Sequence, residues 1–450
     1  MGVAPARRAA LTAVGAVRSR RAFAHEVVPA TIERAGLTGR DAAFATRLAY
    51  GTIATRGTLD EVVASLLSNP KKTSPAILDA LALSAYELLF EGADSYAAVS
   101  EGVELVRAVA PRASGVANAV LRKIAGDRTV AGTETPGADV GAVARRYGHP
   151  EWIAETLVER FGATRAEAIM AADNEPAPLY LAHMPFRASF DEVMASLEAD
   201  GAQPVALDLP GAIGVGSASA AVRSTALANG HVIVVDLGAQ LAASLVPTCA
   251  GATVLDIGSG RGTKSLLIAA NANRAGVAVN VVGIDLYGFK VAISTERAAA
   301  LGAPNVTFLE ADATALERAS LPGPVTALLL DAPCSGLGTL RRHPDKRWQV
   351  TPDDVRSLAE LNSSLLRSAL GVLAPGGVAI YSTCTMTREE NEGVVESATQ
   401  SGASTSPILP AEVPASLRHH LVDPAGGFFQ STPIENGPDG HFIARIIGGR

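Results

Sequence analysis

Two stretches of this 450-residue chain carry reactive side chains out of apolar runs. Asp331-Ala332-Pro333-Cys334-Ser335-Gly336 follows the run Val325 to Leu330. Tyr381-Ser382-Thr383-Cys384-Thr385 leaves a second apolar run fifty residues later. An acid, a proline-held cysteine and a glycine turn serve no packing purpose together. Cysteines at turns after strands gain reactivity from nearby dipoles and cations, so the two thiols are expected to meet over one substrate. The third cysteine, Cys249, lies among small residues with no acid or base beside it and is expected in the core. Three cysteines make no disulfide framework and their spacing fits no zinc site. The thiols therefore indicate a reducing, cytoplasmic setting with no metal.

A second constellation is Asp256-Ile257-Gly258-Ser259-Gly260-Arg261-Gly262-Thr263-Lys264. Its glycines let the backbone turn sharply into a helix and approach a ligand closely. The following runs end in Asp285, at Asp312 and in Asp331. A lone G-x-G-x-G is weak evidence, and a dinucleotide is the rival ligand. Three successive strand-terminal acids favour S-adenosylmethionine, which has no pyrophosphate and needs acceptors for its adenosine and amino-acid parts. The candidate cofactor residues are Gly258, Ser259, Gly260, Arg261, Gly262, Thr263, Lys264, Asp285, Asp312 and Asp331; Asp285 is placed to take ribose hydroxyls.

These residues need a scaffold. From Thr253 onward, strand and helix patterns alternate, which predicts a doubly wound, mostly parallel sheet with ligands at the carboxyl ends of its strands. A helix is expected over Pro352–Leu373, a strand over Val378–Ser382, and a helix capped by Thr387-Arg388-Glu389-Glu390. The tail from Gly427 to Arg445 reads as a closing antiparallel pair. Upstream, apolar residues recur at three- and four-residue steps to about Ala125, predicting five to seven packed helices. Residues 127–142 read as a linker. Residues 143–236 read as a small α/β subdomain, in which Ser189-Phe190-Asp191-Glu192 has capping-box spacing. The expected domains are therefore 1–126, 143–236 and 237–450. The net charge is −7, yet residues 1–125 carry 15 Lys and Arg against 11 Asp and Glu. That excess is compatible with an RNA contact but is also what a solvated surface looks like. No run of about 18 apolar residues suggests a membrane span, and no signal peptide is read at the N-terminus.

Arg7-Arg8-Ala9-Ala10-Leu11, Asp41 to Arg56 and Ser114 to Ala125 resemble the helical domain of the antitermination factor NusB, which binds RNA or a protein partner. D-A-P-C-S-G at Asp331–Gly336, R-R-H-P-D at Arg341–Asp345, S-T-C at Ser382–Cys384 and E-E-N at Glu389–Asn391 closely resemble the Nop/Sun family of RNA 5-methylcytosine methyltransferases. Together with the NusB-like part they resemble its bacterial 16S ribosomal RNA methyltransferase B type over essentially the whole chain. The resemblance implies an all-α domain, a small α/β subdomain and a Rossmann-like class I methyltransferase domain, acting as a monomer on 16S rRNA, free or partly assembled. It also implies that Cys384 attacks carbon 6 of cytosine, that Cys334 assists release, and that Asp331 binds the pyrimidine edge. Arg341, Arg342, Lys346 and Arg347 are then candidates to hold flanking phosphates.

The chain departs from the family in three places. Its first turn, Gly258 to Ser265, lacks the family's proline and one glycine. Arg347 replaces a lysine, and Leu179–Pro185 lacks an Arg-Asn pair. One rival reading is DNA cytosine-5 methylation, which would make Cys334 the nucleophile. Others are a non-catalytic RNA-binding assembly factor and a methyltransferase acting on another RNA.

Overall fold

The computed structural model describes residues 3–20, 22–127, 139–422, 427–434 and 437–448. The chain divides into two compact units, one of residues 1–176 with 340–351, the other of 177–339 with 352–450. Most of the expected linker lies outside the described residues.

Unit 1 is helical. Seven helices fill its N-terminal part: α1 (Pro5–Arg20), α2 (Ala24–Arg34), α3 (Gly39–Ala54), α4 (Arg56–Leu66), α5 (Pro75–Leu89), α6 (Ser95–Val109) and α7 (Ser114–Gly126). Their apolar stripes converge on a core of Val14, Leu48, Leu59, Leu81, Leu88, Leu105 and Leu121. Two acids inside this core are neutralised by arginine. Asp79 is met by Arg18 at 2.8 Å and Arg56 at 2.6 Å, and Glu87 by Arg7 at 2.8 Å. Three further helices follow, α8 (Val140–Arg146), α9 (Glu151–Phe161) and α10 (Ala163–Ala172).

Unit 2 begins with a four-stranded antiparallel sheet of β1 (Tyr180–His183), β2 (Pro204–Ala206), β3 (Ala212–Val215) and β4 (Val232–Val234), ordered β2-β3-β1-β4. It is covered by α11 (Phe190–Ala199), whose expected capping box forms between Ser189 and Glu192. After α12 (Leu237–Ser244) comes the large sheet. Strands β5 (Thr253–Ile257), β6 (Asn280–Asp285), β7 (Val306–Glu310), β8 (Val325–Asp331) and β9 (Leu373–Thr383) run parallel in the order β7-β6-β5-β8-β9. Helices α13 (Thr263–Arg274), α14 (Gly288–Leu301) and α15 (Pro352–Val372) make crossovers, and α16 (Glu392–Gln400) follows β9. Strand β10 (Ser404–Ser406) pairs with β13 (Phe442–Ile447). The expected closing pair is β12 (Phe428–Gln430) against β13, flanked by β11 (Leu421–Val422). Strand β13 docks antiparallel on β9.

The chain direction along the sheet reverses between β5 and β8. A doubly wound sheet binds its ligand at such a reversal, beyond the carboxyl ends of the strands.

Candidate active site

Strand register brings the two cysteine turns together. Strands β8 and β9 pair in parallel with Asp331 opposite Ser382, and the Ala332 amide donates to the Ser382 carbonyl at 2.9 Å. Cys334 lies three residues beyond that pair and Cys384 two. Their Sγ atoms are 3.3 Å apart, and the Cys384 amide donates to Cys334 Sγ at the same distance. Asp331 Oδ2 is 2.6 Å from Lys264 Nζ. Burial alone would lower the pKa of that ammonium, but the charge and hydrogen bond of Asp331, with smaller contributions from Asp256 and Cys384, hold it above the ordinary lysine value. A cation beside a thiol favours its thiolate. One small volume therefore holds two thiols, a carboxylate and an ammonium.

The glycine turn forms the neighbouring wall. Gly258 has φ 77°, and a Cβ there would lie 2.6 Å from the Asp331 carbonyl oxygen, so only glycine lets β5 and β8 end side by side. Gly260 donates its amide to Asp285 Oδ2 at 3.0 Å, and the Tyr287 amide donates to Oδ1 at 3.0 Å. Asp285 thus pins the loop from the end of β6. Gly262, in the left-handed region, precedes the first residue of α13, Thr263, whose hydroxyl accepts from Arg297 at 2.8 Å. Ser259 Oγ is buried and has no hydrogen-bond partner among the described residues. A buried hydroxyl without a partner, on a glycine cradle between acids, fits a polar cofactor. Asp312 is exposed and accepts from the Thr314 amide and hydroxyl. Arg261 is exposed on the loop.

Several residues that build the site were not among the candidate catalytic or cofactor residues. Asp256 is fully buried, takes a 2.5 Å bond from Ser265 Oγ, and burial raises its pKa to about 7. Asn362, buried on α15, holds the Pro333 carbonyl at 2.9 Å. The expected Thr387–Glu390 helix cap does not form. The helix starts at Glu392, and the Glu390 carboxylate instead takes bonds from the Ser335 amide, the Ser335 hydroxyl and the Thr387 hydroxyl at 2.7, 2.6 and 2.7 Å. An acid among threonines beside a cysteine was the available signal, but capping-box spacing competed with it.

Two expectations are corrected. Arg347 is no phosphate ligand. In unit 1 it is fully buried, donating to the Asp173 carbonyl at 2.7 Å, Asn174 Oδ1 at 2.9 Å and the Gly148 carbonyl at 3.2 Å. These acceptors follow the ends of α8 and α10, where helix carbonyls lack partners and the dipole attracts a cation. Arg341, Arg342 and Lys346 are partly exposed. Cys249 is exposed, because it sits in the turn before β5 and not in the core.

Among the described residues no cluster of ligating side chains suits a metal, and no helix is long and apolar enough to cross a membrane. The chain matches the 16S rRNA methyltransferase RsmB/F description over residues 243–447, the NusB family over 4–126, and the RsmF/B-like ferredoxin-like domain over 149–220. It is 32% identical to the ribosomal RNA small subunit methyltransferase B of Pseudomonas putida, covering 98% of both chains. Against that of Thermus thermophilus it is 31% identical, over 90% of this chain and 89% of the relative. Its fold matches the crystal structure of PH0851 with a TM-score of 0.79 and 19% identity over 99% of each chain. It also matches NSun6 from Pyrococcus horikoshii with SFG, with a TM-score of 0.54 and 19% identity, over 67% of this chain and 98% of that one. The chain belongs to the RsmB/F family of 16S rRNA methyltransferases, with S-adenosylmethionine as its cofactor.

Proposed function

We propose that this enzyme forms 5-methylcytosine in 16S rRNA through a covalent bond between Cys384 and carbon 6 of the base. The observation that carries the reading is the 3.3 Å thiol pair beside the 2.6 Å Lys264–Asp331 ion pair. Carbon 5 of cytosine is a poor nucleophile. Addition of the Cys384 thiolate at carbon 6 makes the ring an enamine, and electron density returns to carbon 5. Asp331 stabilises the charge that develops at the pyrimidine edge, and Lys264 favours the attacking thiolate. S-adenosylmethionine, held by Gly258 to Lys264 with Asp285 and Asp312, supplies an electrophilic methyl group when bound. A base, solvent water or a deprotonated side chain at the site, must then take the carbon-5 proton; the C–H electron pair restores the C5–C6 double bond, and the C6–S bond breaks to return Cys384 as its thiolate. Cys334, within contact of Cys384, assists that release. A base must leave its stack to reach such a site, so single-stranded or partly assembled rRNA is the substrate form. The basic bias of the N-terminal helices, with Arg341, Arg342 and Lys346, suits phosphate contacts.

The test is nucleoside analysis of 16S rRNA treated with cofactor and wild-type, Cys384→Ala or Cys334→Ala protein. Wild type is expected to yield 5-methylcytidine and Cys384→Ala none. A different methylated nucleoside, or undiminished product from Cys384→Ala, would overturn the proposal.

A further inference from the structure

Ser335 and Thr385 each follow one of the paired cysteines, and a single carboxylate ties them together. Glu390 accepts from the Ser335 amide at 2.7 Å and from its hydroxyl at 2.6 Å. The Ser335 proton is thereby committed, so the Thr385 hydroxyl, 2.7 Å from Ser335 Oγ, is the donor of that contact. Thr387 adds a third donor at 2.7 Å. Glu390, Thr385 and Asn391 are fully buried, and Ser335 and Thr387 nearly so. Among the described residues no cation pairs with Glu390, so the carboxylate is held there by amide and hydroxyl donors. A buried acid is costly unless such donors satisfy it. Burial raises its pKa, while the Ser335 and Thr387 bonds pull the other way.

The Cys384 turn has its own second brace. Asn391 donates to the Thr385 carbonyl at 3.2 Å and accepts from Thr383 Oγ1 at 2.6 Å. The Cys334 turn is held before the cysteine by Asn362 on the Pro333 carbonyl and after it by the Gly338 amide on the Cys384 carbonyl, but Ser335, the residue next to the thiol, is fixed by Glu390. Weakening the carboxylate clamp should therefore release Cys334 first and leave Cys384 in place.

We propose that Glu390 is a positioning residue that holds Cys334 in register with Cys384, so that its loss impairs release of the RNA adduct more than its formation. The release half rests on the roles proposed above for the two cysteines; the clamp itself does not.

The test has two readouts on the full-length protein, both with Cys249→Ser so that only the paired thiols report. Without RNA, a mild diazenedicarboxamide oxidant takes two hydrogens from Cys334 and Cys384, forming a disulfide and the hydrazine. Mass spectrometry follows the disulfide. Glu390→Gln is expected to slow it at least about fivefold, as expected from weakening a buried hydrogen bond worth about 1 kcal/mol. An unchanged rate in a folded variant would overturn the clamp. Ser335→Ala, which removes the hydroxyl and keeps the amide, provides a milder second variant should Glu390→Gln fail to fold. With RNA and cofactor, the covalent fraction surviving denaturant is expected to rise and kcat to fall, with KM for RNA unchanged and Glu390→Asp partly rescuing. Slower disulfide formation with no adduct accumulation would uphold the clamp and overturn the release role of Cys334. Equal loss of adduct and product would overturn the selective effect on release.

Discussion

Replacing Arg347 with methionine tests the finding that the most buried cation of the basic loop is a structural pin. Its guanidinium donates to the carbonyls of Asp173 and Gly148, to Asn174 Oδ1, and more distantly to the Ala54 and Tyr147 carbonyls, both at 3.4 Å. Ala54 keeps a 2.8 Å bond from Trp348, and Tyr147 keeps one of 2.9 Å from Asn174. Methionine therefore strands mainly the Asp173 and Gly148 carbonyls, at about 1–3 kcal/mol each. Opposing this is the desolvation of the guanidinium, which lowers its pKa to about 10. Methionine fills much of the vacated volume, so the cavity contribution is small. The net loss is about 3 kcal/mol, at the lower end of the range for breaking a buried charged contact. For a unit of this size that lowers Tm by about 6–12 °C in calorimetry. Because the side chain has no contact with solvent, the salt dependence of RNA binding should not change in the folded variant. A Tm within about 2 °C of wild type, or a salt slope reduced by about one, would refute the reasoning.

Three further outcomes are expected. Gly258→Ala places a Cβ 2.6 Å from the Asp331 carbonyl at φ 77°, so cofactor affinity in calorimetry should fall about 5- to 150-fold through the strain of about 1–3 kcal/mol. His149 is held neutral, because burial and then Arg347 lower its pKa to about 4. The unfolded chain takes up a proton near pH 6.5 and the folded one does not. Stability present above pH 6.5 is thus lost as the pH falls toward 4, by about 3 kcal/mol in denaturant titrations, and His149→Gln should flatten that slope. Cys249 is exposed, so it should react first with a maleimide, and Cys249→Ser should keep full methylation activity.

The parts of the molecule legible in sequence are those whose cause is local. Helical periodicity, strand runs ending in acids, and the Ser189–Glu192 capping box all follow from neighbours in the chain, and the structure contains them. The meeting of Cys334 and Cys384 was also legible, because two parallel strands in register must deliver their following turns to the same edge. Residues whose partners are distant in sequence were misread. Glu390 has capping-box spacing with Thr387, yet Ser335, fifty-five residues away, turns its carboxylate inward. Arg347 sits in a basic loop that reads as solvated, and only the converging ends of α8 and α10 show why it is buried. Strand β9 begins at Leu373, earlier than Pro375-Gly376-Gly377 suggests, because pairing with β8 across a register shift overrides local turn preference.

The central claim is that Cys384 bonds carbon 6 of cytosine and Cys334 serves release. The most direct measurement is mass spectrometry of the peptide that remains joined to RNA after Cys334→Ala protein turns over with cofactor and is denatured. A nucleotide attached at Cys384, carrying the transferred methyl group, is the predicted result. No adduct from Cys334→Ala, with an adduct at Cys334 in Cys384→Ala protein, would contradict it.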